Sequence, residues 1–251
     1  MGQELSRQLA GRAVRVQTEM GGKNAVAVLA DADLETAAGL IVAGAFAQAG
    51  QRCTATSRIV ADRRIAGRLT DLVVAKTKLL QVGHGAEAST TMGPVVSPGA
   101  REGIVAHIQG ALNQGAEVLT GGMERPHGTE ENGCFLEPTV LRIDRHADIW
   151  RDEVFGPVVA IIEVDGEEAA LEAVNDSQYG LSAAVFTRDL AAAERFIARA
   201  DAGQVSVNQP TAGWDVHHPF GGFRDSGSPF KEQGLDALQF YTRTKTVAVR
   251  G

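Results

Sequence analysis

Short Val-, Ile- and Ala-rich runs alternate along the chain with alanine-rich stretches of helical periodicity, and this alternation constrains the fold more than any other feature. Residues 25–29, 57–61, 139–143, 158–164, 181–186 and 203–208 read as strands, most of them brief apolar runs of the buried kind. Residues 66–80, 100–114, 167–174 and 190–200 read as helices. Leu34, Ala37, Ala38, Ile41, Ala45 and Phe46 also fall at helical spacing. Asp31, Asp33 and Glu35 crowd the first turn of that helix, where the dipole is positive, and Gly50 stops it. Strand–helix alternation favours parallel pairing through crossovers, so the expected class is α/β, an open and mainly parallel sheet flanked by helices. A short strand over 117–119, a mobile glycine- and charge-rich loop over 121–133, an irregular stretch over 209–229 and an exposed or edge strand over 240–249 complete the reading.

Composition narrows the partners. With 44% hydrophobic and 22% charged residues in 251, the chain has the makings of a folded core. The formal charge of −7 disfavours a nucleic-acid or anionic-membrane surface, since both attract an excess of Lys and Arg. No apolar run approaches a membrane span, and the N-terminus has no basic start followed by an apolar core. Cys53 and Cys134 lie 81 positions apart and make neither a disulfide framework nor a zinc spacing. A reducing, cytoplasmic setting is the expectation.

Four segments hold groups capable of chemistry. Cys53 follows Gly50-Gln51-Arg52, where glycine allows a sharp turn and the Arg52 charge would favour the thiolate. The competing reading is a small buried core cysteine. Glu19 enters the paired-glycine turn Met20-Gly21-Gly22-Lys23-Asn24, placed to reach a cleft as a general base, or else to sit solvated at a strand entry. Glu153-Val154-Phe155-Gly156-Pro157 sets an acid beside an aromatic, suited to ribose hydroxyls and a planar group, or equally to a polar loop with one packed ring. Pro219-Phe220-Gly221-Gly222-Phe223 follows His217 and His218. Adjacent histidines point to opposite faces of a strand, so no metal site is expected there. Cys134 reads as packing.

Together and in order, these segments resemble motifs of the aldehyde dehydrogenase superfamily. The further segments Asn175-Asp176-Ser177-Gln178-Tyr179-Gly180-Leu181-Ser182, Val205-Ser206-Val207-Asn208, Gly227 with Glu232 and Gly234, Tyr241-Thr242 and Lys245-Thr246-Val247 resemble it too. The 34 positions from Glu19 to Cys53 are similar to the family's separation of base and nucleophile. The resemblance covers nearly the whole chain and implies NAD- or NADP-dependent oxidation of an aldehyde to a carboxylate. It assigns Cys53 as nucleophile, with its backbone N–H as one oxyanion donor, and Glu19 as the base that activates water. Glu153 and Phe155, with backbone groups of Met20 and Gly21, would face the nicotinamide half of the cofactor. Trp214 and Phe220 would line the substrate mouth. The loop Pro210-Thr211-Ala212-Gly213 with His217 resembles members that oxidise 2-oxoglutarate semialdehyde.

The resemblance also implies an organisation. Residues 1–21 would be a remnant of a nucleotide-binding domain otherwise absent, 22–222 a catalytic domain, and 223–251 a tail whose last strand joins a partner in a homo-oligomer. Family members are about twice as long as this chain, so the isolated chain is expected to lack dehydrogenase activity while keeping a reactive thiol. The alternative is a non-catalytic fragment or assembly module that pairs with a full-length relative. Neither nucleic acid nor membrane is an expected partner.

Overall fold

The computed structural model describes residues 2–124, 126, 129, 133–228 and 230–251. The loop expected over 121–133 therefore lies partly outside the described residues.

The chain opens with α1 (Gly2–Leu9), then β1 (Asn24–Val28), α2 (Leu34–Phe46), β2 (Thr56–Asp62) and α3 (Ala66–Thr77). It continues through α4 (Pro98–Asn113), β3 (Glu117–Thr120), β4 (Thr139–Arg142), α5 (Asp148–Arg151), β5 (Val158–Val164) and α6 (Gly166–Asn175). Then come β6 (Tyr179–Gly180), β7 (Ser182–Phe186), α7 (Leu190–Arg199), β8 (Gln204–Val207), β9 (Phe223–Arg224) and α8 (Gly234–Tyr241). Among the described residues, seven strands form one sheet in the order β3-β4-β5-β2-β1-β7-β8. Every neighbouring pair is parallel except β3 with β4. The helix-flanked, mainly parallel sheet expected from the alternation is the observed fold.

β1 lies in the interior of the sheet and is buried along its whole length, the reason its residues after Asn24 form a continuous apolar run rather than an alternating one. α2 packs on α3 and α6 on α7, and each pair lies against the sheet. Ser97 and Asp33 cap α4 and α2 by accepting the backbone N–H of Ala100 and Thr36.

Buried Arg58 on β2 ties the layers together. Its guanidinium donates to the carbonyls of Lys23 (2.8 Å), Ala173 (3.1 Å), Val174 (2.9 Å) and Asp176 (3.1 Å). It thereby satisfies the negative end of α6. It also lies 4.9 Å from the ring centroid of the fully buried Trp150.

Three local expectations are corrected, and two helices were not expected. The helix begun at Leu34 does not run to Gly50. It ends at Phe46, and Gln48, Ala49 and Gly50 follow with left-handed φ of 55°, 55° and 67°. Asp31 leaves the α2 first turn and instead accepts the Thr187 hydroxyl and the N–H groups of Arg188 and Asp189. Phe240 and Tyr241 belong to α8, and residues 242–251 pair with no strand among the described residues, so their alternation is not realised as a strand there. α5 and α8 themselves are short and carry little periodic signal, so the sequence reading misses both.

Candidate active site

Parallel pairing explains why distant motifs meet. The register sets Asn24 beside Thr56, Arg58 beside Ala160 and Ala25 beside Ala183, so the segments that enter β1, β2, β5 and β7 end at one level. Residues 19–23, 50–55, 153–157 and 178–181 are those segments. The candidate groups thus gather at the amino ends of the strands, whereas open α/β sheets generally bind ligands at the carboxyl ends.

Asn24 organises the cysteine turn. It is buried, and its Nδ2 donates to the carbonyls of Cys53 and Ala55, each at 2.8 Å, while its Oδ1 accepts the Ser182 N–H at 3.0 Å. The Ala55 N–H donates to the Arg52 carbonyl at 3.0 Å and closes the turn around Cys53. Gly22 lies so close that a Cβ there would stand 2.8 Å from the Cys53 carbonyl oxygen. On the other flank, a Cβ on Gly50 would overlap the Gly156 carbonyl. Two glycines therefore let three strand entries touch.

Cys53 is exposed, so the core-cysteine reading is set aside. Its thiol pKa is nevertheless pushed up, by partial burial of the sulfur, by Glu19 and by Glu153. The N–H groups of Thr54 and Cys53 itself pull the other way. The thiolate preference expected from Arg52 is overturned: the charges that reach the sulfur are the two carboxylates.

Glu19 also titrates above the ordinary carboxylate range. Burial raises it and the Glu232 charge adds to that, while the Gln17 side-chain hydrogen bond (2.7 Å) and Lys231 oppose it. Lys231 is held by the carbonyls of Gly203 (2.7 Å) and Gly221 (2.5 Å). Cys53, Glu19 and Glu153 therefore share one electrostatic neighbourhood, with Glu232 against Glu19.

Half-buried Glu153 accepts the Gly22 N–H at 3.0 Å and lies across Gly21, where a Cβ would overlap its carboxylate. It lines a narrow cleft with Gly22, Lys23, Gly50, Ser57 and Phe155. Phe155 is exposed and holds a left-handed φ of 50°. The Met20 N–H is committed to the Ser226 carbonyl at 3.0 Å.

Trp214 is half-buried and donates its indole N–H to the Thr211 carbonyl at 2.9 Å. Thr211 is fully buried and reaches the cysteine turn directly, bonding the Thr56 hydroxyl (2.8 Å) and the Thr54 carbonyl (2.8 Å). Phe220 is bonded in both directions to Glu232, at 2.6 and 2.8 Å. Cys134 packs against the core.

Three contributors escaped the sequence reading. Asn24 and Thr211 are polar residues in apolar surroundings, a signal that a buried polar group has assigned partners. Lys23 is buried and pushed down to about 7, chiefly by burial and then by Arg58, with Asp152 and Glu153 opposing. The fourth surprise is His217 with His218, whose ring centroids lie 4.1 Å apart on a turn rather than on opposite faces of a strand.

Residues 1–247 match the Aldehyde dehydrogenase family, and the chain belongs to that family. It is 38% identical over its full length to an alpha-ketoglutaric semialdehyde dehydrogenase of Bacillus subtilis, covering 51% of that protein. A 2,5-dioxopentanoate dehydrogenase of Saccharolobus solfataricus is 39% identical over 94% of this chain and 49% of its own length. Among solved structures, an NAD+ complex of aldehyde dehydrogenase from Bacillus cereus superposes with a TM-score of 0.91 at 34% identity, over 98% of this chain and 49% of the other. The NAD+ complex of a betaine aldehyde dehydrogenase from Staphylococcus aureus gives 0.90 at 33%, over 96% and 48%. The chain spans about half the length of the relatives it matches. No helix among the described residues is long and apolar enough to cross a membrane.

Proposed function

We propose that this site carries out NAD- or NADP-dependent oxidation of an aldehyde to a carboxylate, with Cys53 as nucleophile. The observation that carries the reading is the convergence of an exposed thiol with two carboxylates at the entries of β1, β2 and β5. Cys53 Sγ attacks the aldehyde carbon, its proton passing to Glu19, to form a thiohemiacetal. The Cys53 N–H steadies the oxygen as charge develops on it. A nicotinamide dinucleotide, when bound, supplies the hydride acceptor that takes the adduct to a thioester. Glu19, held above the ordinary carboxylate range and having released the thiol proton to solvent, then takes a proton from the water that attacks the thioester, and the Cys53 thiolate leaves as the acid is released.

The residues present fit the nicotinamide half of that cofactor. The Glu153 carboxylate faces the cleft beside Gly21 and Gly22 as a ribose-hydroxyl acceptor, Phe155 offers a ring next to it, and Gly21 with the carbonyl side of Met20 would meet the carboxamide. Trp214 and Phe220 line the substrate entrance. The 210–213 loop and the names of the Bacillus and Saccharolobus relatives make 2-oxoglutarate semialdehyde the first substrate to test.

The same reading divides the chain into 1–21 from a nucleotide-binding domain, 22–222 as the catalytic domain and 223–251 as a tail for homo-oligomer formation, in a cytoplasmic protein. One observation favours a second role, as an assembly module beside a full-length relative: residues 242–251 are exposed and pair with no strand among the described residues.

A burst assay with p-nitrophenyl acetate tests the chemistry without cofactor. The expected result is an acyl group on Cys53, located by mass spectrometry, with deacylation slowed in Glu19→Gln. Equal, slow modification of Cys53 and Cys134 would reject the assignment.

A further inference from the structure

We propose that the loop carrying Trp214 binds a divalent transition-metal ion through Asp215, His217 and His218. One ligand atom from each lies within 4.8 Å of the other two, the only such grouping of three His, Cys, Asp or Glu among the described residues. On a strand the two histidines would diverge, but here the His218 N–H donates to the Asp215 carbonyl at 3.0 Å. That turn swings both rings to one side, with centroids 4.1 Å apart.

The turn is anchored at both ends. Before it, Trp214 bonds the Thr211 carbonyl at 2.9 Å, and Thr211 is itself fully buried. Beyond it, the Gly234 N–H donates to the Val216 carbonyl at 3.1 Å, and Gly234 packs on the His217 carbonyl with no room for a Cβ. Ligands on an anchored turn lose little freedom when an ion binds.

The donor set selects the ion. Two imidazoles and one carboxylate suit zinc, nickel or copper with an open fourth position, whereas magnesium and calcium favour all-oxygen cages. All three side chains are exposed, so an ion reaches them without opening the core. The His218 ring stands edge-on to Trp214 with centroids 6.3 Å apart, so a bound ion is sensed by that indole. Trp150, the other tryptophan, is fully buried under Arg58. Where Trp214 lines the aldehyde entrance, a reading taken from the proposed function, the ion restrains that entrance. Binding itself does not depend on it.

Titrating the untagged chain with NiCl2, without aldehyde or cofactor, tests the site by tryptophan fluorescence and calorimetry. The expected result is saturable quenching at one ion per chain. Trp214→Phe should lose the optical signal yet keep the heat of binding. His217→Ala, His218→Ala and Asp215→Asn should each weaken binding at least ~10-fold, the lower range for disturbing even an outer-shell partner, and Cys53→Ser should bind as the parent does. Linear unsaturable quenching, unchanged binding in the histidine variants, or loss of binding in Cys53→Ser would overturn the assignment. Because no turnover is read, a failed aldehyde assay leaves this result standing, and the reverse.

Discussion

The buried amide of Asn24 holds the Cys53 carbonyl at 2.8 Å, so the geometry of an exposed thiol is set by a side chain one strand away. The same amide reaches Ala55 and Ser182, joining the entries of β1, β2 and β7 through one residue.

Replacing Asn24 by Ala leaves two carbonyls and an N–H without their partner, at ~1–3 kcal/mol for each group left buried and unsatisfied. Asn24→Asp keeps the acceptor for Ser182 but turns a carboxylate oxygen toward the Cys53 and Ala55 carbonyls and buries a charge. Urea unfolding at neutral pH should rank the parent above both variants, and selectivity of alkylation for Cys53 over Cys134 should fall with stability. Equal midpoints for all three would contradict the role given to Asn24.

The carboxylates beside Cys53 predict the direction of its titration. Because Glu19 and Glu153 raise the thiol, Glu19→Gln should shift the pH midpoint of iodoacetamide labelling downward, and Glu153→Gln should do so to a smaller extent. The parent midpoint should lie above the ~8.5 of a free cysteine. An upward shift in either variant would reverse the electrostatic account.

Buried Lys23 should shape stability against pH. The folded chain releases its proton near 7, whereas the unfolded chain keeps it to ~10.4. Between those values the unfolded state binds more protons, so this group makes stability rise with pH across that window. Lys23→Met removes a charge-burial cost on the order of 4 kcal/mol at pH 7 and below. Its advantage over the parent in denaturant midpoints should shrink steadily between about pH 7 and 10. Parallel profiles would show that Lys23 is not the titrating group.

Gly22→Ala places a methyl 2.8 Å from the Cys53 carbonyl oxygen and 3.0 Å from Asn24 Oδ1. Backbone must move to admit it, at ~1–3 kcal/mol for overpacking of this kind. Gly39→Ala, on α2 with open space around it, should be neutral or stabilising. Thermal melts of the pair check this: similar melting temperatures would remove the close-approach argument.

α8 presents Leu235, Leu238 and Tyr241 at 76%, 62% and 71% exposure and buries nothing. Such a face promotes self-association. A Leu235→Glu/Leu238→Glu double variant should lower light scattering without moving the melting temperature, while unchanged scattering would place the sticky surface elsewhere.

The strands and most helices were legible because periodicity is a local property: a strand covered on both faces must be apolar, as the buried 158–162 is. The same holds for the ordered motifs, since Cys53, Glu19, Glu153 and the glycines between them carry the family resemblance residue by residue. The strand expected at 240–249 failed for the opposite reason. Alternation at 241–248 fits a strand, yet pairing requires a second segment, and among the described residues none pairs with the tail, while Phe240 and Tyr241 join a helix.

By itself the sequence determined the α/β class, the places where chain entries turn, and the identity of the thiol and the acids around it. Only the tertiary structure decided what those groups feel. Arg52 is next to Cys53 in the chain, but the charges that shift its thiol come from residues 19 and 153, carried in by parallel pairing of β1, β2 and β5. His217 and His218 face together because the chain turns there. Lys23 is an ordinary lysine until the sheet and Arg58 enclose it. Electrostatic and steric neighbours act through space, and distance in space is set by packing rather than by position along the chain.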